Sequence, residues 1–105
     1  MSRDTLHRLA ATITARATAD PGESWTAALL AQGPAKTAQK FGEEAVEAII
    51  ACMQDDQHAF VAEAADTLFH LLVMLHSRGV TLDQVLAELD RREGTSGITE
   101  KANRS

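Results

Sequence analysis

The sequence predicts an all-α fold, an antiparallel bundle of about five helices built by a single domain over residues 1–105. Three observations predict it. Aromatic residues make up only 4% of the chain and tyrosine is absent, so the core must come from Ala, Leu, Val and Ile, which suits helix packing better than a β-sandwich. No segment alternates apolar and polar residues as a half-buried strand does, and no Asn-Gly or Asp-Gly pair offers a hairpin turn. Helix-starting and helix-stopping residues recur along the whole chain.

A first helix is predicted over 4–19, stopped by the turn-forming cluster Asp20-Pro21-Gly22. A short second helix starts at Ser24, whose hydroxyl can cap it, and ends before Gly33. Pro34 has a fixed φ and no N–H, which suits the first turn of a third helix over 34–53. Asp55-Asp56 breaks and recaps the chain, and a fourth helix follows over 57–77, with Gly79 as its left-handed terminator. Thr81 and Gln84 form a capping box for a fifth helix over 82–92, ending at Gly94. Residues 95–105 are a polar tail.

Helices three and four are the long ones. Phe41, Ala45, Ala48, Ile49 and Cys52 form an apolar stripe on the third, and Leu68, Leu71, Leu72 and Leu75 form one on the fourth. A turn as short as Asp55-Asp56 should set the two antiparallel. In this reading Cys52, Met53 and Met74 are core residues, Cys52 buried and inert. Trp25 reads as packing, with stacking on a base as its functional alternative.

The formal charge of −5 argues against a nucleic-acid binder, which would show a basic surface. It leaves room for an anionic small ligand, because a bound metal reverses the local sign. One cysteine rules out an intrachain disulfide and a cysteine-ligated zinc site. Met1-Ser2-Arg3-Asp4 lacks the apolar stretch of a signal peptide, and the run from 71 to 75 is too short to cross a bilayer. The expectation is a cytoplasmic protein with no membrane association.

The acids carry the chemical signal. Helix three holds Glu43, Glu44 and Glu47, and helix four holds Glu63 and Asp66. Residues three apart share a helix face, so Glu44 projects with Glu47 and Glu63 with Asp66. On an antiparallel pair the two carboxylate pairs can converge, and they would repel one another unless a cation sat between them. Oxygen ligands without thiolate favour Mg²⁺ or Mn²⁺. The plain alternative is a solvated acidic face, common on helices. Against it, Glu63 and Asp66 lie among small apolar residues, and the place four after Asp66, where a surface pair would put Lys or Arg, holds His70. His70 itself fits a ligand, a base or a core histidine, and its leucine-rich surroundings favour the last. His7, His58 and His76 read as surface or interface residues.

Lys36 and Lys40 lie one turn apart, just ahead of the acids. Lys40 can pair with Glu44 along the helix, or both lysines can bind phosphate beside a metal, near the free N–H groups of the helix start.

The segment Gly33-Pro34-Ala35-Lys36-Thr37-Ala38-Gln39-Lys40-Phe41-Gly42-Glu43-Glu44-Ala45-Val46-Glu47 resembles the signature of the phosphoribosyl-ATP pyrophosphatases of histidine biosynthesis. So do Ala62-Glu63-Ala64-Ala65-Asp66-Thr67-Leu68-Phe69-His70-Leu71-Leu72, the stretch from Leu82 to Leu89, and Ser96-Gly97-Ile98-Thr99-Glu100-Lys101-Ala102. Glu-x-x-Glu followed by Glu-x-x-Asp marks the wider MazG-like superfamily of all-α nucleotide pyrophosphohydrolases. The resemblance implies Mg²⁺-dependent hydrolysis of the α–β phosphoanhydride of phosphoribosyl-ATP to phosphoribosyl-AMP and pyrophosphate. It also implies a helical dimer with its sites near the subunit interface. By matching positions it makes Glu44, Glu47, Glu63 and Asp66 metal ligands and Glu43 a neighbouring, water-orienting acid. Lys36, Lys40 and Lys101 become candidates for substrate phosphates. A fused cyclohydrolase with cysteine-ligated zinc does not fit in this chain. Two rival readings are a MazG-like house-cleaning enzyme for non-canonical nucleoside triphosphates and a non-catalytic helical interaction module.

Overall fold

Local capping chemistry sets the element boundaries in the computed structural model, which describes residues 4–94. Five helices follow one another: α1 (Thr5–Arg16), α2 (Trp25–Ala31), α3 (Pro34–Cys52), α4 (Gln57–Ser77) and α5 (Leu82–Arg92). There is no strand among the described residues. Asp4, Ser24, Asp56 and Thr81 each accept a hydrogen bond from the backbone N–H three residues on, satisfying a donor that the helix leaves open. Gln84 returns the bond at α5 and completes the capping box. Gly33 stands at φ 89° and Gly79 at φ 71°, where a side chain would be strained. These two residues make the α2–α3 and α4–α5 corners.

The first helix is shorter than predicted, ending at Arg16 instead of near Ala19. The turn that follows explains this. Asp20 Oδ1 accepts from Gly22 N at 2.9 Å, and Asp20 O accepts from Glu23 N and Ser24 N. Asp20 also precedes a proline, which disfavours helical backbone there, so the chain must leave the helix earlier.

α3 and α4 pack along each other as an antiparallel pair. Thr37 meets Ser77 through their hydroxyls at 3.0 Å, and further along the pair Thr67 on α4 meets the carbonyl of Glu44 on α3 at 3.2 Å. The core gathers at one end of this pair, where Ile13 of α1, Leu29 of α2 and Leu72 and Val73 of α4 are buried together. Leu6, Leu9, Leu30, Phe69, Leu75 and Leu82 pack around them. By length and composition α4 is apolar enough to cross a membrane. α1, α2 and α3 pack against it and cover part of that apolarity, while Phe60, Val61 and Leu68 stay exposed.

The opposite end of the pair is bare. Val46, Ile49 and Ile50 on α3, and Phe60, Val61 and Leu68 on α4, are exposed. Two core assignments fail here: Cys52 is exposed, and Met53 is 82% exposed. Cys52 ends the α3 stripe and Met53 follows it, and nothing among the described residues covers that end of the helix. Trp25 is also exposed, at 59%, because α2 buries Thr26, Ala27 and Leu29 and leaves its first residue outside. Met74 is half-buried and His70 is buried, as a core histidine should be.

α5 is tied to α1 by a contact between residues far apart in sequence. His7 Nδ1 lies 2.6 Å from Asp4 Oδ2, and His7 Nε2 lies 2.7 Å from Asp83 Oδ1. Both ring nitrogens can donate only in the imidazolium form. The Asp83 contact, followed by the Asp4 contact, holds the His7 pKa above its ordinary 6.5. A raised folded-state value gives stability that is present below 6.5 and lost as pH rises through that value. The melting temperature of His7→Gln should therefore fall below that of the parent near pH 6 and converge with it as pH rises through the raised value. Thermal unfolding followed by circular dichroism across pH checks this, and a pH-independent gap would remove the imidazolium from the contact.

Candidate metal centre

The acids stand on the α3–α4 pair beyond the core, among alanines of both helices. One carboxylate oxygen from each of Glu44, Glu63 and Asp66 can be chosen so that all three lie within 4.8 Å of one another. Glu44 and Glu63 are half-buried, and Asp66 is exposed. Glu63 Oε2 is buried and has no hydrogen-bond partner. An anionic oxygen without a partner is costly, and a cation is the partner that an acceptor-only cluster calls for. All the donors are hard oxygens, so the set fits Mg²⁺ or Mn²⁺ chemically.

Glu47 stands beside this trio without belonging to it. The neighbouring Glu47 carboxyl, followed by burial, raises the Glu44 pKa. A cation must displace whatever proton Glu44 holds, so cation binding here should strengthen as pH rises.

Glu43 points to a different role from its neighbour. Gln39 Nε2 donates to it at 3.0 Å and Lys40 Nζ lies 3.6 Å away, and these partners hold its pKa low. The charge of Lys36 also reaches it. Lys40 sits 4.0 Å from Glu44 Oε2 as well, so it spans the exposed acid and the half-buried one. Lys40, Glu43, Glu44 and Glu47 line one open depression on α3. The structure thus brings together the acids and Lys40, with Lys36 one turn earlier on the same helix. Lys101 lies outside the described residues.

His70 is buried on α4, edge-on to Phe69 at 5.0 Å between ring centroids. Burial lowers its pKa, Lys40 lowers it further, and Asp66 opposes them. A neutral imidazole is therefore favoured. Sequence reasoning passed over Thr67, whose hydroxyl touches the Glu63 carbonyl at 2.8 Å as well as that of Glu44. Its one signal in the sequence is a hydroxyl standing between Asp66 and Leu68 in an otherwise small and apolar run.

The fold and site define a class: an all-α domain whose two longest helices bring a carboxylate cluster together beside a lysine-bearing depression. The family model for phosphoribosyl-ATP pyrophosphohydrolase matches residues 6–93. Among relatives named phosphoribosyl-ATP pyrophosphatase, that of Cereibacter sphaeroides is 66% identical over 99 residues, covering 94% of this chain and 96% of the relative. Those of Rhodobacter capsulatus and Paracoccus denitrificans are each 67% identical over 99 residues, with 96% and 92% of the relative covered. The chain belongs to the phosphoribosyl-ATP pyrophosphohydrolase family.

Proposed function

We propose that this chain hydrolyses the α–β phosphoanhydride of phosphoribosyl-ATP, the second step of histidine biosynthesis, at a Mg²⁺ site formed by Glu44, Glu47, Glu63 and Asp66. The observation that carries this reading is the convergence of Glu44, Glu63 and Asp66 around a buried, unpartnered oxygen, in a chain of this family. Water adds to phosphorus, the bridging P–O bond breaks, and pyrophosphate leaves from phosphoribosyl-AMP. When bound, the cation would neutralise phosphate charge and help ionise the attacking water. Mn²⁺ is a chemically reasonable substitute.

The chain's own residues do the rest. The carboxylates are fixed by two packed helices, so little reorganisation is needed when charge develops. Lys40 and Lys36 supply positive charge beside the acids for the phosphate chain. Glu43, kept ionised by Gln39 and Lys40, is placed to accept a hydrogen bond from water at the rim. Lys101 completes the proposed phosphate contacts. A cytoplasmic location suits a soluble nucleotide substrate.

The test is pyrophosphate release from phosphoribosyl-ATP with and without Mg²⁺. Release only with Mg²⁺ supports the reading. Release from a panel of nucleoside triphosphates but not from phosphoribosyl-ATP would support a house-cleaning activity. No saturable Mg²⁺ or Mn²⁺ effect would support an interaction module.

The active form in this proposal is a two-fold dimer. The bare end of α3–α4, with Val46, Ile49, Ile50, Phe60, Val61 and Leu68 exposed, supplies contiguous apolar surface for the interface. Sedimentation equilibrium at micromolar concentration should give twice the 11.3 kDa chain mass. Ile49→Asp, placing a charge on that surface, should shift the chain toward monomer. A stable, folded parent monomer would contradict the dimer.

A further inference from the structure

Two hydrogen bonds between side chains and their surroundings cross from α3 to α4 among the described residues. Thr37 to Ser77 closes the pair beside the core. Thr67 to the Glu44 carbonyl closes it about two turns away, at the acids. A hydroxyl has one proton, and Thr67 shares it between two carbonyls: Glu63 O at 2.8 Å, one turn back on its own helix, and Glu44 O at 3.2 Å on the other. The first contact is ordinary for a threonine inside a helix. The second joins the main chain of one acid of the cluster to the main chain of another.

This placement has a consequence for the acids. Without a cation, Glu44, Glu63 and Asp66 repel one another across the helix interface, and the repulsion acts to slide or part the helices. A slip of one residue moves a side chain about 1.5 Å along the axis and turns it by about 100°. Mg²⁺ holds its oxygens at about 2.0–2.1 Å in near-octahedral order, so a fraction of that slip would spoil the set. Interdigitated packing resists such a slip along the whole pair, and a hydrogen bond between two defined turns adds a directional restraint at the acids themselves.

We propose that Thr67 is a positioning residue for the carboxylate site, its hydroxyl pinning the Glu44 turn of α3 to the Glu63 turn of α4 and so setting the spacing at which the acids meet a divalent cation. The inference rests on the proposed metal role of Glu44, Glu63 and Asp66. Thr67 itself touches neither cation nor substrate.

The experiment is a Mn²⁺ titration of the full chain, read by electron paramagnetic resonance without substrate. Thr67→Val keeps the shape and deletes the hydroxyl. Thr67→Ser keeps the hydroxyl and deletes the methyl. Thr67→Ala removes both and favours the helix, which guards against misfolding of the valine variant. Loss of a residue that orients ligands typically weakens metal binding by about 10–100-fold. Thr67→Val and Thr67→Ala should weaken Mn²⁺ binding by at least about tenfold, with Thr67→Ser close to the parent. Equal affinity in all four proteins would overturn the inference, even if the melting temperatures differ, because that pattern belongs to a purely structural hydroxyl. Weak binding by Thr67→Ser as well would also overturn it, by assigning the effect to the methyl. Glu63→Gln is the control for the underlying reading: undiminished Mn²⁺ binding there would sink the metal site, whereas weakened binding there with unchanged Thr67 variants would sink only the role of Thr67.

Discussion

Glu63→Gln is expected to lower pyrophosphate release from phosphoribosyl-ATP at least about 100-fold, because residues that merely orient metal ligands already cost about 10–100-fold when changed. The same substitution should raise the melting temperature of the metal-free protein. Both effects follow from one atom. Glu63 Oε2 is buried with no partner, and its charge faces those of Glu44 and Asp66. A glutamine side chain keeps the shape, removes one negative charge, and offers N–H donors that a neighbouring carboxylate can accept. The folded protein gains by losing repulsion, and the cation loses a ligand. Activity measured with saturating Mg²⁺, beside thermal unfolding in chelator, reads the two effects separately. Near-parental activity at limiting Mg²⁺ would take Glu63 out of the site. A lowered melting temperature in chelator would show that its carboxylate is satisfied by something other than a cation.

Glu47→Gln should be milder toward stability, since Glu47 lies outside the tight trio and acts on it through Glu44. Removing its acid removes the partner that raises the Glu44 pKa, so Glu44 should ionise at lower pH in the variant.

The helices were legible in the sequence because their boundaries are set by residues within a few places of the boundary itself. Gly33-Pro34, Asp56 and Thr81 with Gln84 act locally, and α4 runs from Gln57 to Ser77 as its caps predict. The acid spacing was legible for the same reason: three residues on one helix face need no knowledge of the partner. The meeting of Glu44 with Glu63 and Asp66 then needed only the short Asp55-Asp56 connection.

What stayed hidden depends on which helix faces which. Periodicity marks a stripe without saying whether anything covers it, so Cys52 and Met53 read as core although α1 and α2 pack at the other end of the pair. The His7–Asp83 contact joins residues 76 apart, and no local pattern announces it. Thr67 escaped notice because a threonine within a helix is ordinary, and its bond to Glu44 depends on register along the pair, which no single helix encodes.

Lys40→Met is expected to raise the KM for phosphoribosyl-ATP by roughly 10–100-fold, the worth of a hydrogen bond to a charged group, with a smaller fall in kcat. Lys40 Nζ lies 3.6 Å from Glu43 Oε1 and 4.0 Å from Glu44 Oε2, both longer than the 2.7–2.9 Å or so of a strong charged hydrogen bond. The ammonium is thus held near two acids without being consumed by either, and it lines the open depression beside them. A phosphate entering that depression would meet a cation whose donors can turn toward it. Methionine keeps the apolar stem and deletes the charge, so the packing of the stem is preserved while the phosphate contact is lost. The rival account makes Lys40 a surface partner of Glu43 and Glu44. An intrahelical pair of that kind contributes about 0.2–0.5 kcal/mol of stability and leaves KM alone. The two accounts also differ in pH. Lys40 lowers the Glu44 pKa against the rise caused by Glu47, so its loss should let Glu44 hold its proton to higher pH. The acid limb of the rate profile should move upward in Lys40→Met, while Mg²⁺ dependence at saturating substrate and neutral pH changes little. An unchanged KM with a slightly lowered melting temperature would assign Lys40 to the helix surface and remove it from the substrate site.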